Sequence, residues 1–315
     1  MLRLRQRLES GAVSLLDRAV VTLLPAVPKR VVRGLSSRYI AGSELEDARR
    51  VVAELNAAGK LATVDVLGEE ITRPEEAEEI TRAYLDLLDA IDEDALAANV
   101  SVKLTGLGLK LDPALARENL RRIARKAIAR GGTFVRIDME DSSTTDATLE
   151  LYSELGAEGL GNLGLVLQAA LKRTVDDARS LAGANVRLCK GIYVEPAEIA
   201  YRDFDDVRES FVRALDALLD GGCYVGIATH DEWLVDAGLR AVRERGLGPE
   251  AYEFQMLLGV RRELGDRIVA EGHPLRIYVP YGRQWYEYSL RRLQENPKIA
   301  GYVTGDLGRS LFGRR

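Results

Sequence analysis

The chain has 315 residues, 46% hydrophobic and 30% charged, enough to bury a sizeable core and long for one domain unless that domain is a barrel. Two cysteines, Cys189 and Cys223, and two histidines, His230 and His273, with no H-E-x-x-H or C-x-x-C, exclude a disulfide framework and argue against a transition-metal centre. The net charge of −5 conceals an asymmetry, because residues 1–38 carry eight Arg or Lys against two acids, a net +6 that leaves −11 on the remainder; so acidic a body argues against a nucleic-acid groove.

The basic segment 1–38 reads as a helical or flexible N-terminal arm, distinct from a single domain over 39–315. Its apolar run from Val20 to Val27 falls short of the roughly 20 residues needed to span a bilayer. Asp17, Arg18 and Glu9 argue against a cleaved signal peptide. The expectation is a cytoplasmic protein whose arm rests on the anionic inner face of the membrane as a peripheral contact. Ser43 and Glu46 then stand at the spacing of a capping box, and the helix they open is expected to close a barrel bottom.

From residue 61 onward short β-rich runs recur at Leu61–Gly68, Asn99–Leu109, Thr133–Glu140, Leu163–Ala169, Asn185–Gly191, Tyr224–Asp231, Tyr252–Gly259 and Leu275–Gly282. Amphipathic stretches separate them, among them Glu75–Ile91, Pro113–Arg130 and Ile199–Leu219, rich in Ala, Leu, Glu and Arg. Strands alternating singly with helices imply parallel pairing, and eight such units in roughly 250 residues have the size of a TIM-type (β/α)8 barrel. Gly159-Leu160-Gly161-Asn162-Leu163-Gly164 spells G-x-G-x-x-G, but it precedes a strand. The dinucleotide fingerprint has to follow one and open a helix, so this stretch reads as a loop.

After the last strand, Tyr286, Leu290 and Leu293 form the apolar stripe of a final helix, expected over the barrel mouth. Tyr288, Arg291, Arg292 and Glu295 share its other face, where paired guanidinium forks can grip a carboxylate. Chemistry in a barrel sits where the strands end, and the polar residues there are Lys103, Asp138, Glu140, Gln168, Arg187, Lys190, Thr229, His230, Asp231, Glu253 and Gln255. Three classes of protein fit such a mouth. An enzyme with an organic cofactor is one, a Schiff-base aldolase using Lys103 or Lys190 is another, and a ligand-binding barrel without catalysis is the third.

The segments Ser101-Val102-Lys103-Leu104, Arg136-Ile137-Asp138-Met139-Glu140, Val186-Arg187-Leu188-Cys189-Lys190-Gly191-Ile192-Tyr193, Ala228-Thr229-His230, Glu253-Phe254-Gln255-Met256-Leu257 and Tyr278-Val279-Pro280-Tyr281-Gly282 through Tyr288, Arg291 and Arg292 resemble, in order and spacing, the proline dehydrogenases. The resemblance covers about residues 40 to 300. It implies a distorted barrel holding noncovalent FAD, oxidation of L-proline to Δ1-pyrroline-5-carboxylate by hydride transfer from C5 to flavin N5, and a membrane quinone as acceptor. Position by position, Arg187 is similar to the arginine beside N5, and Gln168, Met139, Lys190, Gly191, Ile192, Thr229 and His230 to flavin contacts. Lys103, Arg291 and Arg292 resemble a carboxylate grip, Asp138 the acidic partner of Lys103, and Leu257, Tyr278 and Tyr288 pocket walls. Ile192 stands where the family usually has Ala, which bears on pocket size and substrate range. The resemblance extends to no aldehyde dehydrogenase half, so a separate pyrroline-5-carboxylate dehydrogenase is expected for the next step.

Overall fold

Eight parallel strands close on themselves in chain order in the computed structural model, which describes residues 38–69, 71–286, 288 and 289. They are β1 (Leu61–Val66), β2 (Ala98–Lys103), β3 (Val135–Asp138), β4 (Leu163–Gln168), β5 (Asn185–Cys189), β6 (Tyr224–Ala228), β7 (Tyr252–Leu257) and β8 (Leu275–Tyr281). The ring shuts where β1 lies beside β8, from Leu61 opposite Arg276 to Val66 opposite Tyr281. Helix α1 (Leu45–Ala57) precedes the barrel, and α2 (Pro74–Glu93), α3 (Pro113–Ala129), α4 (Thr145–Ala157), α5 (Thr174–Ser180), α6 (Phe204–Asp220), α7 (Glu232–Glu244) and α8 (Arg262–Ala270) follow β1 to β7 in turn. The expected TIM-type barrel is therefore present.

Each strand runs between two environments, and its period of two sorts them. Val100 and Val102 of β2, Val135 and Ile137 of β3, Val186 and Leu188 of β5 and Val225 and Ile227 of β6 are fully buried in one apolar cluster with Leu120 and Ile123 of α3 and Leu215 and Leu218 of α6. At about 1.5–3 kcal/mol per large aliphatic side chain, this annulus between strands and helices is what stabilises the fold. The alternate residues face the lumen and are polar: Ser101, Arg136, Asp138, Arg187, Glu253 and Gln255 are all buried. Barrel lumens are ordinarily filled by branched aliphatic residues. This one is filled by charges.

Several helix starts carry their own caps. Asp112, Asp203 and Asp231 accept from backbone N–H groups one or two residues into α3, α6 and α7, satisfying donors that the first turn leaves without partners. Pro74 and Pro113 open α2 and α3, where a missing N–H costs nothing.

Three expectations need correction. The box opening α1 is formed by Glu44 and Asp47, whose carboxylate accepts from the N–H groups of Ser43 (3.1 Å) and Glu44 (3.2 Å); Ser43 and Glu46 do not form it. Nor does α1 close the bottom, because it packs along the seam of β1 and β8, with Ala48 and Val52 buried. Finally α6 begins at Phe204 and not at Ile199, since residues 197–199 form a turn and Ala200 bridges Leu171, with the Lys172 N–H bonded to the Ile199 carbonyl (2.9 Å) and the Tyr201 N–H to the Ala170 carbonyl (2.8 Å). Tyr39–Gly282 form one compact unit, and the described residues outside it, Arg38 and the segment from Arg283 to Ser289, belong to another. In that second unit the final helix starts at Trp285. Leu290, Arg291, Arg292 and Leu293, like the basic arm before Arg38, lie outside the described residues.

The G-x-G-x-x-G stretch is a loop running into β4. A Cβ on Gly164 would stand 2.4 Å from the Asn185 carbonyl oxygen and from the Phe134 ring, and 2.9 Å from the Arg136 guanidinium. The glycine leaves the room that Arg136 takes in the lumen.

Candidate active site

Side chains from strands that are not neighbours meet inside the barrel, and Asp138 at the end of β3 is their centre. Its Oδ1 accepts from Arg187 Nη1 of β5 (2.6 Å) and from Ser101 Oγ of β2 (2.6 Å), while its Oδ2 accepts from the Tyr278 hydroxyl of β8 (2.8 Å). Lys103 Nζ donates to the same hydroxyl (3.2 Å) and stands 3.9 Å from Asp138 Oδ2. Burial pushes the Asp138 carboxyl up, but Arg187 and Lys103 outweigh it and hold the group below the ordinary carboxylate range. Ionised, it can accept all of these bonds at once.

The tightest partner of Lys103 is a residue the sequence reading did not name. Asp65 of β1, fully buried, accepts from Lys103 Nζ at 2.7 Å. Tyr84 of α2 braces it from behind, its hydroxyl 3.2 Å from Asp65 Oδ1 and donating to the Ser101 carbonyl at 2.6 Å. Burial raises the Asp65 carboxyl against the pull of Lys103. Burial would also strip Lys103 of its proton, but Asp65 and Asp138 prevail and hold the ammonium above its ordinary range. An imine-forming lysine has to be available as the neutral amine, so the pairing of Lys103 counts against an aldolase. It leaves a cation suited to a carboxylate.

Arg187 is gripped twice. Nε donates to Gln255 Oε1 of β7 and Nη1 to Asp138 and Ser101, whereas Nη2, also buried, has no hydrogen-bond partner among the described residues. A buried donor without a partner costs about 1–3 kcal/mol, a cost natural sites carry where a ligand supplies the acceptor.

Below this layer Gln255 Nε2 donates to Glu253 Oε1 (2.6 Å), and Arg276 Nε donates to the same oxygen (2.7 Å). Lower still, Arg136 donates to the carbonyls of Leu165 (2.9 Å) and Asn185 (2.8 Å). Burial, with Arg187 and Arg276 nearby, lowers its guanidinium to about 9. Lys103, Arg136, Arg187 and Arg276 face Asp65, Asp138, Glu140 and Glu253, so the lumen balances its own charge.

Around the rim, Gln168 ends β4 buried, its Nε2 donating to the Glu140 carbonyl (2.8 Å). Glu140 itself accepts from the Thr105 N–H (3.0 Å) and hydroxyl, which pins the loop after β2; burial raises its carboxyl. Gly191 has φ +94°, and a Cβ there would lie 3.1 Å from Gln168 Oε1, so the glycine lets the backbone pass close to that amide. Lys190 stands over the Phe204 ring at 4.7 Å and 3.5 Å from Asp231, which Arg208 holds by two bonds of 2.8 Å. Thr229 and Met139 are buried, and Thr229 Oγ1 accepts from the Asp231 N–H (3.1 Å). His230 Nε2 accepts from the Leu257 N–H (2.9 Å), which leaves the ring proton on Nδ1. Ile192 is half exposed on the loop after β5, a loop tied down where Glu195 accepts from the Ser142 N–H (2.7 Å) and hydroxyl (2.6 Å). Tyr288 is buried within the second unit, its N–H donating to Gln284.

A closed barrel whose charged lumen opens at the C-terminal ends of its strands defines an enzyme of the (β/α)8 class, with catalytic groups drawn from several strands. A family model for proline dehydrogenase matches residues 48–304. The chain is 40% identical over 275 residues to a proline dehydrogenase of Deinococcus radiodurans, covering 85% of this chain and 88% of the relative. It is 37% identical to proline dehydrogenase 1 of Bacillus subtilis, covering 84% and 88%. Proline utilization A from Bdellovibrio bacteriovorus, solved after inactivation by N-propargylglycine, superposes with a TM-score of 0.81 at 25% identity, over 88% of this chain and 36% of that longer one. The chain belongs to the proline dehydrogenase family and is an oxidoreductase.

Proposed function

We propose that this protein oxidises L-proline to Δ1-pyrroline-5-carboxylate with noncovalently held FAD, and passes the electrons to a membrane quinone. The observation that carries the reading is Arg187: two of its three guanidinium nitrogens are fixed inside the lumen, and the third is a buried donor without a partner among the described residues. The rim has the donor chemistry for such a group, with Gln168, Lys190, Thr229 and His230 as polar partners and Gly191 and Met139 as close-approach surfaces. FAD held by these residues supplies the hydride acceptor at its N5. Arg187, cationic and buried, favours the negative charge that reduction places on the ring. Lys103, with Arg291 and Arg292, binds the substrate carboxylate, and Tyr278 and Leu257 wall the proline ring. Clamping the carboxylate fixes the carbon to be oxidised, and orientation of that kind contributes much of a rate enhancement. A separate pyrroline-5-carboxylate dehydrogenase would consume the product.

The test is a visible absorption spectrum of the purified protein before and after anaerobic addition of proline. Flavin absorption that bleaches with proline, and yellow colour released into solution on denaturation, are the expected results. A colourless protein from flavin-replete cells would refute the reading, as would a yellow one that proline leaves unbleached.

The basic arm of residues 1–38 bears on the acceptor. No described helix is long and apolar enough to cross a membrane; in this reading the arm brings the protein to the bilayer surface, where about 1 kcal/mol per basic residue is available. The full chain is expected to co-sediment with anionic vesicles at low salt and to be released at high salt. Loss of that difference on deleting the arm supports the docking role, and identical behaviour of the two forms rules it out.

A further inference from the structure

We infer that Gln255 is the positioning residue for Arg187, and that Glu253 fixes which way Gln255 faces. The inference rests on the flavin reading above and deepens it, since it concerns how the free nitrogen of Arg187 is aimed. A guanidinium held at Nη1 alone, by Asp138 and Ser101, can still swing about that contact. The bond from Nε to Gln255 Oε1 is a second point of attachment, and two points fix the plane of a rigid fork. Only then does Nη2 have a defined direction.

A glutamine amide has a donor end and an acceptor end, and reversed it would set N–H against N–H at Arg187. The neighbour on its other side prevents reversal. Glu253 Oε1 lies 2.6 Å from Gln255 Nε2 and, as a carboxylate, can only accept. Glu253 is kept ionised although it is 1% exposed, because Arg276 bonds it at 2.7 Å and outweighs the burial that would protonate it. The Tyr224 hydroxyl donates to its other oxygen (3.1 Å), and Arg276 is anchored in turn to the Ala62 carbonyl (2.7 Å). The adjacent strand leaves room for this arrangement. A Cβ on Gly226 would stand 2.5 Å from Gln255 Nε2 and push the amide away. Strands β1, β6, β7 and β8 thus combine to seat one side chain of β5. Gln255 and Glu253 lie beneath the mouth layer, so their influence passes through Arg187.

The test uses the FAD-loaded full chain and its Gln255→Met variant, which keeps the length of the side chain without the acceptor, compared for flavin content, flavin midpoint potential, and kcat and KM for proline. Flavin content is expected to be unchanged. The potential should fall by about 30 mV or more, equivalent to tenfold for a two-electron couple. The kcat should drop about ten- to a hundredfold, with KM staying within about threefold. Glu253→Gln, which keeps every residue that contacts Arg187 but loosens the orientation of Gln255, should shift the potential in the same direction by less. If Gln255→Met does not fold, Gln255→Asn, one methylene too short to span Arg187 and Glu253, is read against the same outcomes. A flavin-loaded variant with wild-type potential and kcat, or one altered only in melting temperature, overturns the inference and leaves the flavin reading intact. A wild-type protein that binds no flavin overturns both.

Discussion

Arg187→Met is expected to reduce kcat/KM for proline by about a hundred- to a thousandfold, the range for deleting one preorganised donor at a site of developing charge. It should also lower stability by about 3–5 kcal/mol, because Asp138 is left buried without its principal cation. At roughly 2–4 °C per kcal/mol for a chain of this size class, melting should fall by on the order of ten degrees at matched FAD saturation. The two losses can be separated. Arg187→Met combined with Asp138→Leu removes both charges, and buried ion pairs replaced by apolar groups recover much of the stability lost by breaking them. Activity should not return with it. Recovery of activity together with stability would mean that Arg187 only neutralises Asp138, and the proposed role toward the flavin would be wrong.

The barrel was legible because strand and helix alternate in the sequence, and seven of the eight predicted strands contain the observed one, the exception being β2, which begins one residue earlier than expected, at Ala98. Strand ends were read too long where a run continues past the point at which the chain leaves the sheet. β2 stops at Lys103 because the chain turns there, the Leu107 N–H bonding to the Lys103 carbonyl (3.2 Å), and Gly106 in that turn passes so near the Gly68 carbonyl that a Cβ would stand 2.2 Å from it, a close approach between loops that a single sequence does not reveal. The site was legible in part for a different reason. Lys103, Asp138 and Arg187 sit at or near strand ends, where chemistry is expected. Asp65, Ser101 and Tyr84 were missed. Asp65 lies in Thr63-Val64-Asp65-Val66 and Ser101 in Asn99-Val100-Ser101-Val102-Lys103, each a strand alternating polar with Val. Strands of an all-parallel sheet covered on both faces usually read as unbroken apolar runs. Strict alternation was therefore the available signal for a polar lumen, and it would have pointed to Asp65. Nothing local marks Tyr84, which reads as one more apolar position on an amphipathic helix. Its hydroxyl matters only because the fold brings it to Asp65.

Lys103→Met should lower kcat/KM for proline about ten- to a hundredfold, chiefly through KM, as expected on losing one charge-assisted bond to a carboxylate of about 1.5–3 kcal/mol. Flavin content should not change. Pyrrolidine, with the ring nitrogen and no carboxylate, should be an equally poor substrate for wild type and variant, and Arg291→Met and Arg292→Met should follow the same pattern. The pH profile supplies an independent check. Lys103 is held above its ordinary range, so its stabilising contribution is complete below its unfolded value of about 10.4 and is lost only above its folded one. Asp138 is held below its ordinary range, so its contribution is complete above about 3.9 and is lost as pH falls through its lower folded value. Between about pH 5 and 10 both charges persist, and KM for the proline carboxylate should carry no ionisation belonging to either group. A limb in that window that vanishes in Lys103→Met would show that the lysine loses its proton there, and the ion-paired cation assigned to the substrate clamp would be the wrong species.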